Sequence, residues 1–78
     1  MNNQRRKAIG KLEGKLLQIK EALDGIYDEE RDALDGQPEG IQKSDRWIHQ
    51  DEKAEELAEI VIDIDDLIER LQEAVESF

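Results

Sequence analysis

The side chains best able to do chemistry in this 78-residue chain are carboxylates. Glu52, Glu55, Glu56, Glu59, Asp63 and Asp66 repeat E-x-x-E and D-x-x-D spacings. On a helix such spacings set two acids side by side, one turn apart. Pairs of this kind, contributed by several helices, hold the metal centres of all-α pyrophosphohydrolases and di-iron bundles. Those centres need acids that point into a bundle core. The apolar residues of the same segment claim the inward positions here, so these acids are expected on a solvated face. The Glu-x-x-His pair of di-iron bundles is missing. His49 is the only histidine; Glu52 and Lys53 follow it at helical spacing, but the same count puts it on the outer face, without the positioned partner that a base or ligand needs. With no cysteine there is no thiol nucleophile, disulfide or thiolate metal site. Neither an enzyme nor a bound cofactor or metal is expected.

Composition narrows the remaining classes. No apolar run approaches the ~18 residues of a membrane span, and the opening from Asn2 to Lys7 is polar, unlike a secretory segment. A membrane partner is not expected, and the chain reads as cytoplasmic. The formal net charge of −10 argues against direct nucleic-acid binding, which requires a basic surface. Arg5-Arg6-Lys7 is a basic cluster, and Gly10-x-x-x-Gly14 resembles a small-residue packing motif. High charge with three aromatics (Tyr27, Trp47, Phe78) also raises disorder, which the apolar periodicity argues against.

Two elements must position all of this. Ile9, Leu12, Leu16, Ile19, Leu23 and Ile26 alternate in steps of three and four, and the count continues to Glu30 and Ala33. Trp47, Gln50, Ala54, Leu57, Val61, Ile64, Ile68, Leu71, Val75 and Phe78 follow the same rule. That 3.5-residue repeat is the signal of helices packed along a seam. Gly36 followed by Pro38 is a stop, and Ser44 or Asp45 suits an N-cap. The expectation is a single all-α unit over 1–78: a helix over about 3–35, a connector over about 36–43, a helix over about 44–78, folded as an antiparallel two-helix, coiled-coil-like hairpin.

In that hairpin Ala33 is expected opposite Trp47, Ile26 opposite Ala54, Leu23 opposite Leu57, Ile19 opposite Val61, Leu16 opposite Ile64, Leu12 opposite Ile68, and Ile9 opposite Leu71. Glu30 falls opposite Gln50 as a single polar core layer, a device that sets register. Charge agrees with the topology. Six basic residues (Arg5, Arg6, Lys7, Lys11, Lys15, Lys20) crowd the start of the first helix and acids the end of the second, both against the macrodipole. An antiparallel pair brings the two blocks together. Apolar residues also flank the seam: Ala8, Ala22, Ile60, Leu67 and Ala74 on one side, Tyr27, Leu34 and Ala58 on the other. Exposed apolar surface of this extent implies a partner. The simplest is a second copy, giving a homodimeric four-helix bundle with Ile60, Leu67, Val75, Phe78, Tyr27 and Leu34 at its interface.

The connector carries a further pattern. Tyr27-Asp28-Glu29-Glu30, the run Leu34-Asp35-Gly36-Gln37-Pro38-Glu39-Gly40-Ile41-Gln42-Lys43-Ser44-Asp45-Arg46, and Ile62-Asp63-Ile64-Asp65-Asp66-Leu67-Ile68-Glu69 resemble small acidic helical-hairpin proteins encoded by bacteriophages and prophages. The resemblance implies a non-catalytic protein that works in the host bacterial cytoplasm by binding a host protein, with interference in a host defence or regulatory complex as its expected effect. Asp35, Glu39, Ile41 and Arg46 are the expected contact residues. Two other readings stand beside it: an acidic mimic of DNA occupying a nucleic-acid site on a host enzyme, suggested by the excess of acids over residues 28–56, and a structural oligomerisation module.

Overall fold

The computed structural model describes residues 1–78. They form α1 (Asn3–Asp35), a single helical turn α2 (Glu39–Gln42) and α3 (Asp45–Glu76), with no strand. The chain ends explain the bounds. Asn2 Oδ1 accepts the backbone N–H of Arg5 at 2.8 Å, an N-cap that satisfies a donor the helix leaves free. Ser44 takes the same role for α3, its Oγ accepting the Trp47 N–H at 3.2 Å. Between the long helices, the N–H of Gly36 closes α1 on the Asp32 carbonyl at 3.0 Å. Pro38 cannot continue the helix, and its carbonyl opens α2 by accepting from Ile41 and Gln42 at 2.9 and 3.1 Å. The connector is therefore ordered by its own hydrogen bonds, with the Gln42 amide also reaching the Gln37 carbonyl at 3.0 Å.

α1 and α3 lie antiparallel, and the hairpin is a rod of 59 × 16 × 12 Å. At one end an Arg6 guanidinium N–H donates to the Val75 carbonyl at 3.2 Å. At the other the Trp47 indole N–H donates to the Leu34 carbonyl at 2.9 Å. Leu34, Ala54, Val61 and Ile68 are the buried core. Ile9, Leu16, Leu23 and Tyr27 of α1, and Trp47, Leu57, Ala58, Ile64, Leu71 and Val75 of α3, are half-buried along the seam.

The seam on α1 differs from the expected one in its second line. Leu12, Ile19 and Ile26 are about half exposed, at 53%, 52% and 54%, and Ala33 is exposed as well. Their neighbours Glu13, Lys20, Tyr27 and Leu34 take the inward places. A one-residue step turns the helix by about 100°. The apolar line at Ile9, Leu16 and Leu23 stays inward while the hairpin opens on the side of Leu12, Ile19 and Ile26. Lys20 and Arg31 explain the choice, since both find acids across the seam on the other side. The expected polar layer is absent for the same reason: Glu30 and Gln50 are both exposed. Tyr27 and Leu34, expected at a dimer interface, belong to the hairpin's own seam, and Leu34 is its most buried residue.

Gly10 and Gly14 lie in α1 where an added methyl group would meet nothing within 4 Å. Replacing Gly14 by alanine is expected to stabilise the hairpin by about 0.5–1 kcal/mol, by lowering the entropy of the unfolded chain. Urea denaturation followed by circular dichroism checks this; an unchanged or lower midpoint contradicts it.

Candidate functional site

The acids of α3 that make contacts meet basic or hydroxyl groups. Glu55 accepts the Tyr27 hydroxyl at 3.1 Å and an Arg31 N–H at 2.9 Å. Glu56 pairs with Lys53 at 3.1 Å. Glu52, Glu59, Asp63 and Asp66 are exposed, as is His49, and no group of three or more metal-ligating side chains converges. No helix is long and apolar enough to cross a membrane.

Two contrasting faces dominate the rod instead. On one, Arg31 is a hub: its guanidinium meets Asp51 at 2.7 Å, Glu55 at 2.9 Å and Asp35 at 3.0 Å. Hydrogen bonding to Asp51 first, then to Asp35 against a smaller desolvation cost, holds its proton more firmly than usual. Lys20 continues this side by pairing with Asp65 at 2.9 Å, and that bond raises its pKa. The sequence pattern already set Lys20, in the basic block, beside the acids of the second helix, but it did not single out Arg31. One signal was available: Arg31 is the only basic side chain between Lys20 and Lys43, in a run dense with acids.

Tyr27 sits on the same side, and burial, followed by its bond to Glu55, raises its pKa above the ordinary 10.0. A pKa higher in the folded than in the unfolded chain contributes stability below the unfolded value, and this is lost as pH climbs through the folded value. Lys20 acts with the same sign. The hairpin is therefore expected to weaken in the alkaline range above about pH 10. Because Tyr27 is the only tyrosine, absorbance at 295 nm titrates it alone; a midpoint at or below the free-tyrosine value would contradict this placement. Glu55→Gln should lower the midpoint only in part, since burial is the larger cause.

The opposite face is apolar. One residue back from Lys20 and Tyr27 on α1 come Ile19 and Ile26, and one back from Asp65 on α3 comes Ile64. In antiparallel helices those two backward turns go to the same side, away from the ion pairs. Leu12, Ile19 and Ile26 therefore share a face with Leu57, Ile64 and Leu71, and Ile60 and Leu67, about half exposed, border it. Of the residues expected at a dimer interface, Ile60 and Leu67 lie here, Phe78 is exposed beyond the end of α3, and Val75 is half-buried beside Arg6.

At the loop end this face runs into an open groove of about 360 Å³. Ala33, Leu34 and Trp47 line it, with Ile41, Arg46, Glu30 and Gln50 around them. The structure thus brings Ile41 and Arg46, two of the four expected contact residues, to one groove. It also delivers the displaced polar pair there, as groove lining. Asp35 is turned to Arg31, and Glu39 begins α2 outside the groove. Compared with known protein families, curated proteins and solved structures, the chain matches none.

Proposed function

We propose that this protein is a non-catalytic binding protein that acts as a homodimeric four-helix bundle. The observation that carries the reading is how little the hairpin buries by itself. Only four of 78 residues are buried, and the accessible surface is 6029 Å². A compact monomer of 9.0 kDa would expose about 4,850 Å². The difference of roughly 1,200 Å² per chain is on the scale that a stable interface covers. Leu12, Ile19, Ile26, Ile60 and Leu67 are each about half exposed and recur at heptad spacing, the pattern of helices awaiting a second layer. Sedimentation equilibrium at micromolar concentration tests this; a mass twice that of the chain is expected, and a stable helical monomer would overturn it.

The groove at the loop end, where the apolar face continues, is offered to another partner in competition with a second copy. The groove between Ile41, Arg46 and Trp47 combines an apolar floor with charged and amide groups at its edge, the composition of a protein-contact site. With the connector's resemblance to phage and prophage hairpins, the reading is a protein that engages a host protein in the bacterial cytoplasm and interferes with its complex. Tagged protein should retain one host complex from lysate at both low and high salt, and Ile41→Asp with Arg46→Glu, both exposed at the groove, should release it. A complex lost on adding salt would favour DNA mimicry by the acidic loop end. No retained complex would favour a structural oligomerisation module.

A further inference from the structure

We infer that two copies of the chain pack head to tail through the apolar face, α1 against α1 and α3 against α3, with the two-fold axis beside Ile19. This rests on the dimer reading above and adds its orientation. Two hairpins joined face to face have two symmetric choices. A two-fold axis along the rod sets the loop ends together and lays α1 of one copy on α3 of the other. An axis across the rod sets each loop end against the other copy's termini and lays like helices on each other.

Charge separates the two. The loop half, residues 21–60, holds four basic and fourteen acidic side chains; the terminal half, 1–20 with 61–78, holds seven of each. The whole net charge of −10 therefore resides at one end. Packed helices lie 8–10 Å apart, about one Debye length at physiological salt, so facing charges are felt across the interface while the far end of a 59 Å rod is screened. Loop ends together would face −10 with −10. Head to tail, each faces a half with no net charge. Along α1 the match is closer still. The first twenty residues carry six bases and only Glu13, and they run beside Glu21, Asp24, Asp28, Glu29, Glu30, Asp32 and Asp35 of the second copy, among which Arg31 is the one base. The α3 contact is acid beside acid, and the α1 contact offsets it.

The apolar layers fit the same axis. With Ile19 on the dyad, Leu12 is level with Ile26 of the second copy. The Arg6–Val75 and Leu34–Trp47 contacts set the level of α3, and they place Ile60 beside Ile64 and Leu57 beside Leu67 of the second copy.

The chain has no cysteine, so introduced thiols report the orientation directly. A disulfide needs α-carbons within about 7 Å. Under mild oxidation Ile19→Cys alone should form a linked dimer. Leu12→Cys and Ile26→Cys should each stay unlinked alone and link when mixed. Both mutant sets should keep the wild-type circular dichroism. Linking only in a mixture of Ile19→Cys with Ile60→Cys would place α1 on α3 and overturn the inference, as would a dimer in which neither expected link forms; the dimer reading would survive both results. A wild-type monomer by sedimentation would overturn both.

Discussion

Leu34→Ala is expected to lower the unfolding free energy by about 2–3 kcal/mol. Leu34 is the most buried side chain, 3% exposed, and its own carbonyl accepts the Trp47 indole N–H at 2.9 Å. Truncation removes three carbons from beside the Trp47 ring. The figure sits at the low end for a leucine core site because a two-helix seam can partly collapse onto the space. Domains of this length have total stabilities of about 4–12 kcal/mol, so the loss is a large share. Urea denaturation monitored at 222 nm measures it. Ile62→Ala is the control: Ile62 is 60% exposed on the side away from the apolar face, and its change should stay within about 0.5 kcal/mol. Equal effects at the two positions would mean that Leu34 does not anchor the seam.

The largest effect should come from replacing Leu12, Ile19 and Ile26 together with glutamine. Each is about half exposed in the hairpin, so a second copy can cover about half of the area that full burial would. Full burial of such a side chain contributes about 1.5–3 kcal/mol, and half of that, over six side chains in a dimer, comes to about 4.5–9 kcal/mol. The dimer should weaken by about three to six orders of magnitude and sediment as a monomer at micromolar concentration. Within one hairpin the triple variant loses little packing, and α1 keeps its caps and its ion pairs through Lys20 and Arg31, so helicity should persist. Ile62→Gln should leave the mass unchanged. A triple variant that keeps the wild-type mass would remove this face from the interface.

Much of the architecture was legible in residues taken locally. The 3.5-residue recurrence from Ile9 to Leu23 and from Trp47 to Val75, the glycine–proline stop at Gly36 to Pro38, and Ser44 as a cap all act within a few residues of chain. Each is a local free-energy preference. The candidate site was less legible. Ile41 and Arg46 were singled out on the connector's pattern, whereas the groove that joins them to Trp47, Glu30 and Gln50 exists only once α2 folds back. Two of the three partners of Arg31, Asp51 and Glu55, lie twenty or more positions along the chain, and no periodicity reports a pairing of that kind.

The sequence by itself determined two long helices, their antiparallel return and the excess of apolar surface, because caps, stops and heptads are set by neighbours along the chain. Only the tertiary structure decided which second line of α1 turns inward. The line at Leu12, Ile19 and Ile26 and the line at Glu13, Lys20 and Tyr27 are adjacent residues about 100° apart on the same helix. Periodicity favours the first on apolarity alone. The fold turns in the second, because Lys20 and Arg31 reach acids on α3 only from that side, and their apolar stems and the Tyr27 ring cover the seam while their charged ends stay wet.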